Sequence, residues 1–496
     1  MSVFTKPGAT PAAELRRRMT LPQRHRLLHG YPLAASLHSA EGLDENLVVA
    51  HGRTERKLLV GVLPHPFCNP AVTGCGFCVF PHEPGNAAKG TPVVRSVIQE
   101  IIQTVDGQLI DLFNRDVTAL YFGGGTANLT EPEPFRDLCV NLADNLGLKN
   151  SEVTLEGVPA YFLRGEPRLL DVMKDKLPAR HFRLSMGIQT FDETRLKEMG
   201  RTAFGTPATF RQVVEYAHSL GFTASADFLF NLPGQTLDQM RDDVRRAADL
   251  GLDHLGLYHL VLFRGLGTPW ADDDNLLTEL PDNAKAMEHW LSLRELLLEL
   301  GFVQTTLTNF ERAKFRGKPE RFQYEESVFR GDEFEILGFG PAATSYAATG
   351  NFSHGIKTLN PTASTDYTAA VKRGKRVWNK MFVFRTLDQK VHWLTRRMAS
   401  LEIDRVRYQT LFGSDPVADF AEEFSAITDA GLVEVTTSAV RPTPKGMFYA
   451  DACVALFASR AIKANRELGQ VRIGWDAPKE LFHDIRENDA RSGSMG

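Results

Sequence analysis

Short apolar runs alternate with longer amphipathic stretches from about residue 58 to 262. The runs KLLVGVLP, VTALYFG, VTLEG, FRLSMGI, TASADFLF and DHLGLYHL have the length and composition of strands. Between them, SVIQEIIQTVDGQLIDLF, PFRDLCVNLADNL and TLDQMRDDVRRAADLG place apolar residues at helical spacing. Strand followed by helix, repeated about six times, predicts an α/β domain whose parallel sheet is closed or partly closed into a barrel. An open doubly wound sheet is the alternative on pattern alone, and the lack of a GxGxxG after the first strand counts against it. Past about residue 280 the rhythm changes. A long helix is expected over 283–300, and an irregular region rich in Gly and Phe over 305–375. From 376 on, helices surround a short strand–turn–strand, LVEVTTSAVRPT, ahead of a helix opening at PKGMF. That order suggests a winged-helix-like α+β cap. No basic cluster accompanies its recognition helix, so packing is expected of it rather than DNA binding. The resulting division is an N-terminal extension (1–57), a catalytic barrel (58–280), its continuation (281–375) and the cap (376–496).

Composition narrows the function classes. At 496 residues the chain is too long for one ordinary domain, and 43% hydrophobic residues suffice for a substantial core. A net charge of −4 offers no electrostatic attraction to nucleic acid or an anionic membrane. No run of 18 apolar residues occurs, and the N-terminus MSVFTKPGATPAAELRRRMTL lacks the apolar stretch of a secretory signal. The expected compartment is the cytoplasm. Five cysteines are too few for a disulfide framework, but their distribution is informative. Cys139 and Cys453 stand alone in apolar helical surroundings and are expected in the core. Cys68, Cys75 and Cys78 fall within eleven residues of one another, in a Gly- and Pro-containing loop where the first strand ends.

Three thiolates so close repel one another unless a cation neutralises them, so a metal is the natural partner. Zinc is one possibility, with His65 or His82 as fourth ligand. A structural zinc site would normally bring a second CxxC or a His pair downstream, and the sequence has neither. Three ligands instead leave one iron of a [4Fe–4S] cube open, as a substrate-binding cluster requires.

A cysteine triad ending in CxxC after a first strand, followed by a glycine-rich strand end, resembles the radical S-adenosylmethionine (SAM) superfamily. In detail the chain is similar to the oxygen-independent coproporphyrinogen III oxidase family and its relatives. The matching segments are Tyr121-Phe-Gly-Gly-Gly-Thr126, Arg183-Leu-Ser-Met-Gly-Ile-Gln-Thr-Phe191, Gly200-Arg201, Leu232-Pro-Gly-Gln-Thr236 and Leu257-Tyr258. Similarity continues through Leu337-Gly-Phe-Gly340, Ser345-Tyr346 and Thr443-Pro-Lys-Gly446, so it covers roughly residues 58–460 in order. The resemblance implies a partial (β/α)6 barrel in which Cys68, Cys75 and Cys78 hold a [4Fe–4S] cluster that binds SAM. It implies that Phe77, Gly123, Gly124, Gly125, Thr126, Glu156, Gln189, Arg201 and Asp227 surround the cofactor. Gly123, Gly124 and Gly125 would meet the amino end of the methionine moiety, a role compatible with a tight strand-to-helix turn. Glu156 would bind the first cofactor, with helix capping as its plainer alternative. Gln189 and Asp227 would touch ribose or methionine groups. Arg201 suits a carboxylate through its planar fork, although a lone Arg is more often in a surface ion pair. Tyr258 and His259 could line the substrate space or pack in the core.

By the same resemblance, a reduced cluster would break the S–C5′ bond of SAM, and the 5′-deoxyadenosyl radical would take hydrogen from an unactivated carbon. Electrons would come from a donor such as flavodoxin or ferredoxin. The pattern also departs from the family. The first cysteine gap is six residues rather than three, Val62 stands where the oxidase has Tyr, and the YEIS-like stretch reads Thr305-Thr-Leu-Thr308. These departures favour a branch that binds two SAM molecules and transfers a methyl or methylene carbon to a flat heteroaromatic or tetrapyrrole-like substrate. Oxidative decarboxylation of a porphyrinogen is the runner-up. Another radical reaction, a cofactor-carrying role and a zinc-stabilised binding module remain behind it.

Overall fold

The computed structural model describes residues 9–23, 31–32, 36–40, 56–68, 75–106, 114–374 and 377–467. Six strands follow one another at the centre: β1 (Lys57–Val62), β2 (Val117–Phe122), β3 (Glu152–Gly157), β4 (His181–Gln189), β5 (Thr223–Phe230) and β6 (His254–His259). All neighbouring pairs are parallel and lie in sequence order, from Leu59 opposite Ala119 through to Phe230 opposite His259. Sequential order without a switch point is the arc of a barrel wall, not a doubly wound sheet. In β1 every residue after Lys57 is buried, as expected of a strand covered on both faces. The crossovers include α1 (Ala87–Asp106), α2 (Pro132–Asn145), α3 (Pro207–Ser219) and α4 (Leu237–Asp249). Thr236 caps α4 through Gln239 N–H, and Pro207 starts α3, where its missing N–H costs nothing.

The region expected to be irregular, 305–375, instead contributes four strands to the sheet between its loops and short helices. It holds β8 (Asn309–Arg312), β9 (Phe334–Phe339), β10 (Thr344–Ala348) and β11 (Gly355–Leu359), flanked by β7 (Phe302–Gln304) and β12 (Lys380–Phe384). β9 joins β1 in parallel, β10 to β12 extend that edge antiparallel, and β8 and β7 extend the β6 edge. These strands are short and interrupted by Gly, Pro and Ser, so their pairing comes from the sheet they join rather than from local pattern. The whole sheet is an open arc whose two ends do not pair among the described residues.

The expected helix over 283–300 is α5 (Asn283–Glu299). C-terminal to α6 (Thr386–Ala399), the strands Val433–Val435 and Ala439–Pro442 form an antiparallel pair, joined by Ile403–Asp404. The last described helix is α7 (Ala450–Glu467). The N-terminal extension is tied to both ends of the molecule. His38–Ser39 pairs with β12, and Arg18 of the helix Pro11–Met19 donates to Ser459 of α7 while paired with buried Glu14. Cys139 and Cys453 are fully buried, and burial raises both thiols, Cys453 to about 12. Among the described residues no helix is long and apolar enough to cross a membrane.

Candidate active site

The three clustered cysteines sit above the C-terminal ends of the strands. Cys68 ends a two-residue strand, Phe67–Cys68, that pairs with Glu83–Pro84. Cys75 and Cys78 bracket a turn closed by the Cys78 N–H on the Cys75 carbonyl at 2.8 Å, while residues 69–74, the lengthened part of the loop, lie outside the described residues. All three thiols are half-buried. Burial raises Cys68 and Cys78, the neighbouring thiols add to the rise, and Arg201 opposes it. The three sulfurs and one guanidinium therefore share a single electrostatic neighbourhood.

Each thiol meets one hydrogen-bond donor. Arg201 Nη1 donates to Cys75 Sγ at 2.6 Å, Thr126 Oγ1 to Cys68 Sγ at 3.4 Å, and the Phe80 backbone N–H serves Cys78. The loop is clamped from outside by Trp270, whose N–H reaches the Gly76 carbonyl at 2.9 Å and whose ring meets Phe77 edge-on at 5.7 Å. Phe77 thus packs into an apolar group with Tyr258, Leu260 and Trp270.

The glycine run touches the cysteine loop directly. A Cβ on Gly125 would stand 2.6 Å from the Pro66 carbonyl oxygen and 2.9 Å from that of Phe67, so backbone fills the space. Gly124 has φ +118°, where a side chain is strained. At the other end of the run, a Cβ on Gly123 would lie 3.1 Å from Glu156 Oε2 and 3.2 Å from the Tyr121 ring. Three residues of backbone therefore join the cysteine loop to Glu156.

Glu156 is the penultimate residue of β3, and Gln189 ends β4 with φ 74°. Asp227 lies three residues before the end of β5. Gln189 and Arg201 converge over Gly187, where a Cβ would meet Gln189 Nε2 at 2.9 Å and Arg201 Nη2 at 3.2 Å. Asp227 and Tyr258 converge over Gly256, at 2.5 and 2.8 Å from a Cβ there. Burial pushes the Tyr121 hydroxyl well up, and Glu156, Asp227, Tyr258 and Glu325 push it further. His259 turns away from this group: it stacks on Phe230 at 4.9 Å and bonds the Gln23 carbonyl.

Residues beyond those expected around the cofactor also join this interior. The Tyr324 ring lies 4.9 Å from that of Tyr121, and its hydroxyl approaches the Gly61 position. Strand register puts Gly338 opposite Gly61, Tyr346 opposite Ile336 and Lys357 opposite Tyr346, so Tyr346 and Lys357 face the same interior. Burial and Arg396 lower Lys357 to about 7. Tyr324 enters on the short helix Gln323–Val328, Tyr346 and Lys357 on the antiparallel strands β10 and β11, and Arg396 on α6.

The donor set fits a cluster better than a single ion. Among the described residues, no three His, Cys, Asp or Glu groups converge as ligands for one metal ion. His65 is buried with Nδ1 accepting from Phe67 N–H and its ring against Gly90, and exposed His82 is bonded to the Phe80 carbonyl. Neither stands as a fourth ligand beside the thiols. Three thiolates with one donor each, above a backbone cradle, suit a cube held at three corners.

Residues 62–247 match the family described as the Radical SAM superfamily. The chain is 26% identical over 405 residues to the anaerobilin synthase of Escherichia coli O157:H7, covering 80% of this chain and 82% of that one. It is 26% identical over 314 residues to the heme chaperone HemW of Lactococcus lactis subsp. lactis, covering 63% and 74%. In fold it is similar to the coproporphyrinogen III oxidase HemN of Escherichia coli, with TM-score 0.71 at 19% identity, covering 87% of this chain and 97% of that one. The cysteine loop, the strand-end residues and these similarities agree: residues 62–247 are a Radical SAM domain within a HemN-type fold, and that family implies a [4Fe–4S] cluster and SAM as cofactors.

Proposed function

We propose that this protein is a HemN-like radical SAM enzyme that uses a second SAM to transfer a methyl or methylene carbon to a flat heteroaromatic or tetrapyrrole-like substrate. The carrying observation is the interior of the sheet arc, where Tyr121, Tyr258 and Tyr324 accompany Glu156 and Asp227, three glycines away from the cysteine loop. Aromatic walls with a few polar groups suit a planar ring system. The names of two relatives, a heme chaperone and an anaerobilin synthase, point to the same substrate class. A [4Fe–4S] cluster bound there would supply one-electron chemistry for reductive cleavage of SAM, with electrons from a donor such as flavodoxin or ferredoxin.

The chain's own residues do the rest. Cys68, Cys75 and Cys78 would hold three irons. Gly123 to Thr126, with Phe77, would bound the methionine end of SAM, and Glu156, Gln189 and Asp227 would take its amino and hydroxyl groups. The Trp270 contact with Gly76 and Phe77 would hold the cysteine loop in place over the sheet. A second reading is oxidative decarboxylation of a porphyrinogen, for which the basic residues Lys357 and Arg396 would be the nearest candidates to meet substrate carboxylates.

Product analysis separates the readings. With methyl-labelled SAM and a haem or porphyrin probe, carbon transfer gives 5′-deoxyadenosine, S-adenosylhomocysteine and labelled product. Carbon dioxide from coproporphyrinogen III without S-adenosylhomocysteine would install decarboxylation. Tight tetrapyrrole binding with neither product would move the protein to a carrier role.

A further inference from the structure

We propose that Arg201 and Thr126 are positioning residues that set the reduction potential of the cluster by donating hydrogen bonds to two of its three thiolates. The assignment of the cluster is all this requires, and the identity of the substrate does not enter.

Arg201 cannot easily point elsewhere. It follows Gly200, which at φ 66° ends a short helix, and its own N–H bonds the Leu196 carbonyl at 2.7 Å. Only 4% of the residue is exposed. Nη2 donates to the Gly187 carbonyl, and the guanidinium lies 4.9 Å from the centre of the Phe204 ring. With those restraints, Nη1 is left on Cys75 Sγ at 2.6 Å. Thr126 is 5% exposed and held at the end of the glycine run, so its hydroxyl is similarly committed to Cys68.

Reduction adds one electron to the cluster and no atom. The added negative charge spreads over iron and sulfur, so a donor or cation at a thiolate stabilises the reduced state more than the oxidised one. Both contacts therefore raise the potential, and burial limits screening of the charged one. Arg201 should have the larger effect, since a charge-assisted bond is roughly twice as strong as a neutral one. The Nε of Arg201 is buried with no hydrogen-bond partner among the described residues, which leaves a donor for an anion such as the SAM carboxylate. The guanidinium can thus serve the cluster and the cofactor through different nitrogens.

The test is a potentiometric titration of the anaerobically reconstituted full chain without SAM, reading the reduced cluster by electron paramagnetic resonance against dithionite-poised mediators. Arg201→Gln should make reduction at least tenfold less favourable, a midpoint about 59 mV more negative. Thr126→Val should shift it less in the same direction, Thr126→Ser should restore it, and Arg201→Lys should fall between wild type and Arg201→Gln. Wild-type midpoints in Arg201→Gln and Thr126→Val at full iron content would overturn the proposal, even if SAM binds more weakly. If Arg201→Gln takes up no iron, Arg201→Lys and Thr126→Val decide, and no shift in either refutes it. Failure of wild type itself to take up iron would count against the cluster.

Discussion

Adding one methyl group at Gly125 should dismantle the cluster site while leaving most of the fold intact. The new Cβ would lie 2.6 Å from the Pro66 carbonyl oxygen, 2.7 Å from its carbon and 2.9 Å from the Phe67 oxygen. Non-bonded heavy atoms settle near 3.5 Å, so the two segments must part by about 1 Å. Both sides are backbone, and no rotamer change can relieve the clash. The Phe67–Cys68 strand is the freer partner, because it pairs only with Glu83–Pro84, whereas Gly125 follows a central strand. Overpacking of this kind costs about 1–3 kcal/mol. A displacement of about 1 Å at Cys68 is also large for a ligand, since misplacement on that scale can cost about 100-fold in rate. Gly125→Ala should therefore reconstitute with substoichiometric iron and cleave SAM at least tenfold more slowly, with a modest fall in melting temperature. Gly350→Ala, where a Cβ meets nothing within 4 Å, is the control and should match wild type. Iron quantitation, absorbance near 400 nm and thermal unfolding read the outcome. Full iron content with normal cofactor cleavage in Gly125→Ala would refute the close-approach argument.

Reconstituted protein should hold about four irons per chain, lost when Cys68, Cys75 and Cys78 are all replaced by Ala but kept in Cys139→Ala and Cys453→Ala; one equivalent of zinc without iron uptake would defeat this. Glu156→Gln and Asp227→Asn should keep near-normal melting temperatures yet lower SAM binding or turnover at least tenfold, about 1.4 kcal/mol, as isothermal titration and product release would show. His65 titrates at about 4 because burial disfavours its cation. Its neutral form therefore contributes stability that is fully present above about pH 6.5 and is lost as pH falls toward 4. In urea unfolding, wild type should lose up to about 3 kcal/mol relative to His65→Gln across that window, and a pH-independent difference would contradict it.

Much of the site's chemistry is legible in the linear chain. Cys68, Cys75 and Cys78 announce a metal because closely spaced thiolates need a cation whatever the fold. The six central strands are readable because parallel strands buried on both faces must be continuously apolar. Glu156 and Gln189 draw attention as polar residues closing apolar runs. What the sequence could not determine depends on long-range neighbours. That Gly125 is held to glycine by the Pro66–Phe67 backbone follows only once β1 and β2 pair. That Arg201 reaches the Cys75 sulfur, 126 positions away, depends on how four strands are laid side by side. The strands of 305–375 were unreadable because short, partly buried strands take their conformation from the ladder they join. Tyr324, Lys357 and Arg396 enter the interior only through the short helix Gln323–Val328, the added strand β11 and α6. Local sequence sets propensity and burial preference, whereas which side chains meet is decided by register and closure, and these form only when the distant segments pack.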